Sequence, residues 1–239
     1  MDYDRNEINM LLNCQLPEGW QRVSSSTSAW VAYRPGNSPY YFKKFLARSS
    51  LEGVKGFFRG TRAERFVRES NRLISRGFVA PEVVDWGKLG YGNSWVLCRA
   101  IEGQGAFDFW RDFLADKSHD IKRAFCVSIG REVARLHKSG IMHGDLRLNN
   151  MLVISGDIKE WKFAFLDNER NKAYSKLPFR AMLRNLVQLN MIEDLSVRRV
   201  YRIYFFLGYA RILGLSKPEI DKLLAAVELK TSIRKGRKL

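Results

Sequence analysis

The stretch His143-Gly144-Asp145-Leu146-Arg147-Leu148-Asn149-Asn150 constrains this chain more than any other. It follows a segment that reads as a helix, Asp120 to His137, with Ile121, Phe125, Ile129, Val133 and Leu136 at helical spacing. It runs into an apolar strand, Leu152 to Ile154, and a second such strand, Phe163 to Leu166, ends at Asp167. Asp145, Asn150 and Asp167 are thereby expected at strand ends around one hairpin. Phosphoryl transfer requires such a set. The attacking hydroxyl needs an acceptor for its proton, and a polyphosphate needs magnesium held by hard oxygen ligands.

The rest of the chain is organised around that stretch. Trp20 to Ser25, Ser28 to Tyr33, Tyr40 to Leu46, Glu82 to Trp86 and Ser94 to Ala100 read as five strands. Gly60 to Arg76 reads as a helix with a glycine stop at Gly77, between the third strand and the fourth. After Glu102-Gly103 the character changes, and from Phe179 to near Ala226 the chain reads as helical. With 46% hydrophobic and 13% aromatic residues, the chain can bury a core and is not a disordered one. Cys14, Cys98 and Cys126 form no CxxC pair, which argues against a disulfide scaffold and a zinc site. The polar N-terminus does not read as a signal peptide, and no apolar run approaches the length of a spanning helix.

His143, Asp145, Leu146 and Asn150 resemble the catalytic loop of the protein-kinase-like superfamily. Asp167 resembles its second magnesium-binding aspartate, with Asn168-Glu169 in place of the usual Phe-Gly. The resemblance implies ATP as phosphate donor, Asp145 as catalytic base, and Asn150 and Asp167 as Mg2+ ligands. It implies an α+β, two-lobed fold: an N-lobe over residues 1–101, with an antiparallel sheet plus one helix, and a mainly helical C-lobe over 102–239. The lobes are expected to enclose a cleft. Such a fold needs a third-strand lysine for the α/β-phosphates. Tyr41-Phe42-Lys43 supplies it, and alternation puts Lys43 on the face opposite Phe42 and Lys44. The lysine needs a helix carboxylate. Glu64 and Glu69 are five apart and face different ways, so only one can serve; Glu69 is favoured over Glu64. No GxGxxG is present. The run Ser24 to Ser28 stands where a phosphate-covering loop is expected, with Ser25 and Ser26 as the contacts. Adenine is expected against the backbone of Cys98 to Ile101, Cys98 and Ala100 included.

Gly144 stands where protein kinases carry the arginine that senses a phosphorylated activation loop, so control of that kind is not expected. Tyr41-Phe42-Lys43, Arg62-Ala63, Leu166 to Arg170, Arg184 to Leu189, and Leu195-Ser196 with Arg198-Arg199 and Tyr204 resemble the lipopolysaccharide kinase family. That resemblance covers roughly residues 20 to 215. It implies phosphorylation of Kdo or heptose in the lipopolysaccharide core, on the cytoplasmic side of the inner membrane. Other small-molecule or protein kinases, and a non-catalytic basic pseudokinase scaffold, are the alternatives. The net charge of 41 − 25 = +16 suits an anionic membrane surface as well as general solvation. No nucleic-acid-binding signature accompanies it, and nucleic acid is not an expected partner. The Tyr201 to Arg211 segment and the tail Arg234 to Lys238 are candidate membrane contacts. The alternatives are a core helix for the first and a frayed end for the second.

Overall fold

In the computed structural model, residues 3–47, 59–157, 160–194 and 196–236 are described. Leu195, Arg237 and Lys238, singled out above, lie outside the described residues. The chain divides into two compact units, Met1–Ile101 and Glu102–Leu239.

The first unit is an antiparallel sheet with a helix on each face. Strands β1 (Gln21–Val23), β2 (Ala29–Arg34), β3 (Tyr40–Phe45), β4 (Val83–Lys88) and β5 (Ser94–Arg99) lie in the order β1-β2-β3-β5-β4. Period-two alternation sorts the side chains. Tyr40, Phe42, Trp95 and Leu97 point to one face, where they bury Ile8 and Leu11 of helix α1 (Arg5–Leu12). Phe45, Val96 and Cys98 point to the other, against Ala63 and Phe66 of helix α2 (Arg62–Ser75). Thr61 and Glu64 close α2 with a capping box, and Gly77 takes φ +75 just after it, the backbone a glycine stop supplies. Helix α1 has no counterpart in the sequence reading. It is eight residues long, started by the Asp4 cap, with only Ile8 and Leu11 buried, too few for a periodic signal.

The second unit is mainly helical. Helices α3 (Ala106–Asp112) and α4 (His119–Lys138) precede strand β7 (Ile141–Met142) and the catalytic-loop stretch. Strands β8 (Met151–Asp157) and β9 (Glu160–Phe165) form the expected hairpin, and β6 (Gln104–Gly105) pairs with β8. Strand β10 (Lys172–Ala173) pairs with β7. The expected helical run from Phe179 is three helices: α5 (Phe179–Asn190), α6 (Arg199–Leu213) and α7 (Lys217–Gly236). The guanidinium of Arg202 donates to the carbonyls of Asn190 and Ile192 and so terminates α5, while Gly214, in the left-handed region, terminates α6. Helix α7 runs ten residues past Ala226. Leu223, Val227 and Thr231 recur four apart and are buried, and Thr231 accepts a bond from Asn190, so Arg234 and Lys235 belong to a helical turn and not to a frayed end.

Helices α4 and α6 meet at backbone distance. A Cβ on Gly130 would run into the Phe205 carbonyl, and one on Gly208 into that of Val127. Tyr201, Phe206 and Tyr209 of α6 are buried, so Tyr201 to Arg211 is a core helix, with Ile203, Leu207 and Arg211 on its open side. Among the described residues no helix is long and apolar enough to cross a membrane.

Candidate active site

In the second unit the stretch from His143 to Asn150 is held by its own backbone and by buried amides. His143 is fully buried. Its Nδ1 accepts from the Asp145 amide at 3.2 Å, so Nε2 carries the hydrogen and donates to the Leu166 carbonyl at 2.8 Å. Burial holds its pKa below the ordinary value, which keeps this neutral tautomer. One ring thus ties the residue before Asp167 to Asp145. Asn150 adds two further ties: its side-chain nitrogen donates to the Asp145 carbonyl at 2.8 Å, and its carbonyl accepts from the Leu166 amide at 2.9 Å.

Asp167 sits at φ 56, ψ 47, a left-handed conformation uncommon for a residue with a side chain. The turn behind it explains Asn168, which stands where a phenylalanine is usual. Asn168 is fully buried, donates to the Phe165 carbonyl at 3.1 Å and accepts from Asn171. Asn171 in turn accepts from the Gly144 amide at 2.9 Å. Gly144 is required by contact: a Cβ there would run into the backbone and Cβ of Arg170.

A second buried layer comes from α5. Asn185 accepts from the His143 amide at 2.9 Å and donates to the His143 carbonyl at 2.7 Å and to Gln188 at 2.8 Å. Gln188 accepts from the Leu146 amide. Asn185 also bonds His137, whose other nitrogen meets the Tyr209 hydroxyl at 2.7 Å. Burial pushes the His137 pKa down to about 4, so it is neutral. Both amides lie in a run the sequence marked only by resemblance; their role was illegible because their partners stand over 40 residues away. Arg147 was also missed. It is exposed and pairs with the Asp145 carboxylate at 2.9 Å.

Magnesium is held by one or two carboxylates plus substrate phosphates, and Asp167 and Asn150 carry hard oxygens of the kind that could hold it.

The first unit places its own candidates. Lys43 lies on the α2 face of the sheet with Phe45 and Cys98, its Nζ 5.2 Å from the centre of the Phe45 ring. Burial pushes the Cys98 thiol up to about 12, and the Lys43 charge acts in the opposite sense. Glu69 is buried at 2% exposure and ion-paired with Arg68 and Arg72. Glu64 caps its own helix and pairs with Lys88 at 2.9 Å. The Ser25 hydroxyl donates to the Ala29 carbonyl, and Ser26 pairs with Ser28, so both side chains close the β1–β2 turn. In the segment expected to meet adenine, the Ala100 amide donates to the Pro39 carbonyl at 2.8 Å.

Residues 21–203 match the sequence profile described as the lipopolysaccharide kinase (Kdo/WaaP) family. Among curated proteins, the chain is 29% identical over 118 residues to the EKC/KEOPS complex subunit bud32 of Aspergillus oryzae, covering 40% of this chain and 43% of that one. It is 29% identical over 110 residues to KEOPS complex subunit Bud32 of Pyrococcus abyssi, covering 44% of each. The chain therefore spans about two fifths of the length of the curated relatives it matches. Among solved structures, WaaP in complex with acyl carrier protein superposes with TM-score 0.66 at 18% identity, over 94% of this chain and 95% of that one. WbdD superposes with TM-score 0.52 at 17% identity, over 91% of this chain and 51% of that one. These likenesses show a kinase-like fold.

Proposed function

Because the chain belongs to the lipopolysaccharide kinase (Kdo/WaaP) family and is a kinase, we propose that it transfers phosphate from ATP to a sugar hydroxyl of the lipopolysaccharide inner core, Kdo or heptose. The observation that carries this reading is the bonding of Asp145, Asn150 and the Leu166–Asp167 turn into one rigid unit through the neutral His143 ring. Such bonding supports the reading, because it ties the backbone of the proposed base, Asp145, to the segments that carry the two proposed oxygen donors for a cation.

Asp145 accepts the proton of the acceptor hydroxyl, a step worth roughly 10²- to 10⁴-fold. Its Arg147 partner is exposed and can swing aside for an acceptor. Asn150 and Asp167 would hold magnesium, which when bound neutralises charge on the phosphates. Lys43 steadies the α/β-phosphates and Glu69 positions it. With the Ser25 hydroxyl donating to the Ala29 carbonyl and Ser26 paired with Ser28, backbone amides of that loop join the remaining hydroxyls in meeting phosphate. Adenine is met by backbone groups of the Cys98–Ile101 segment other than the Ala100 amide. A chain of net charge +16 acting at the cytoplasmic face of the inner membrane is drawn to anionic lipid, each juxtamembrane Lys or Arg contributing about 1 kcal/mol.

The test is labelled ATP with purified core oligosaccharides, an aminoglycoside and a generic protein, using the parent and Asp145→Asn. The expected result is transfer to core sugar alone, lost at least about a hundredfold in Asp145→Asn with its melting temperature kept. Transfer to protein would favour the protein-kinase alternative. Equal transfer by parent and variant would end the assignment.

A further inference from the structure

Two cavities of the second unit share one arginine. The first, of about 370 Å³, borders the catalytic loop and is lined in part by Arg147, Asn149, Glu193 and Arg234. The second, of about 690 Å³, is a groove between α5 and α7. Its walls carry Arg180 and Arg184 from α5, and Lys230 and Arg234 from α7, over a floor of the buried Leu183 and Val187. Arg234, in the last turn of α7, belongs to both.

The charges on this groove are placed at a cost. Each wall bears two cations four residues apart, a spacing at which like charges on a helix repel. Arg180 stands in the first turn of α5, where the helix dipole disfavours a cation, and no acidic residue accompanies it there. All four side chains are exposed, no acidic residue lines the groove, and none of the four is ion-paired with a described residue. Four converging cations over an apolar floor match a ligand that carries several anionic groups, and Arg147 and Arg234 continue the positive lining to the residue beside Asp145.

We propose that the α5–α7 groove is an acceptor subsite that binds phosphate groups already present on the saccharide while the hydroxyl to be phosphorylated lies at Asp145. The inference rests on the sugar-kinase reading and adds that the acceptor is itself a phosphorylated saccharide, recognised at a distance from the reacting hydroxyl. Arg184, Lys230 and Arg234 are binding residues that set specificity and take no part in the chemical step.

The experiment uses the full chain with de-O-acylated lipopolysaccharide core, either carrying its phosphates or chemically dephosphorylated. Calorimetric titration reads binding and labelled ATP reads turnover, for the parent, Arg184→Gln/Lys230→Gln and the charge-keeping Arg184→Lys. The double variant is expected to bind the phosphorylated core at least about tenfold more weakly, the size of one lost charge-assisted contact. Its KM for that core rises alike, kcat and the KM for ATP stay, and Arg184→Lys retains binding. The dephosphorylated core is expected to bind the parent and the double variant equally weakly. Binding without turnover would leave the groove standing and sink the reading of the reaction. Equal affinity of the parent for both cores would overturn the groove. So would a defect of the double variant confined to phosphatidylglycerol vesicles, which would make the patch a general membrane contact.

Discussion

Single residues fix the chemistry of the loop. His143 and His137 are buried and kept neutral, and both have pKa values below the ordinary histidine value, His137 down to about 4. In the unfolded chain each titrates near 6.5. Between pH 6.5 and about 4 the unfolded state therefore takes up protons that the folded state refuses. Stability is fully present above about pH 6.5 and is lost as pH falls, by up to about 1.4 kcal/mol per pH unit for each group. Urea midpoints are expected to hold level from pH 8 to 7 and to fall between 6.5 and 5, before most carboxylates titrate. His137→Gln is expected to flatten that slope; midpoints constant down to pH 5 would refute it. The closeness of Asp145, Asn150 and the Leu166–Asp167 turn could be expected from the chain because their spacing is local or set by one hairpin. The bracing amides Asn185 and Gln188 could not, because nothing along the chain announces which backbone groups 42 residues away they will meet.

At the scale of elements, the glycines of α4 and α6 decide the packing. Gly130 and Gly208 let two helices touch backbone to backbone, and a methyl at either has nowhere to go. Gly208→Ala is expected to lower stability by about 1–3 kcal/mol or more through forced separation of the helices, read as a drop in melting temperature. An unchanged melting temperature would show that the helices part freely. The strands of the first unit and helices α2 and α4 follow from alternation and helical spacing, with capping signals at their ends. Helix α1 and the break between α5 and α6 do not. The first has two buried residues, and the second depends on Arg202 reaching the α5 carbonyls from a later helix.

At the scale of the whole molecule, each unit carries one buried thiol. Cys98 lies in the core of the first and Cys126 in the second, each pushed up to about 12 by burial and so protonated at neutral pH, while Cys14 is exposed. A thiol reagent under native conditions is expected to modify Cys14 alone, with Cys98 and Cys126 reacting only as urea opens their own units; mass spectrometry of the labelled peptides reads this, and native labelling of Cys98 would contradict its buried place. The amino-acid sequence by itself determined the kinase-like fold, the family and the residue types of the catalytic loop, since phosphate chemistry demands particular groups at short fixed spacings. Tertiary structure alone decided which glutamate is spent on a helix cap, that Ser25 and Ser26 bond within their own turn, and that four cations from two distant helices line one groove. Those outcomes depend on contacts between residues far apart in the chain, and no local pattern encodes them.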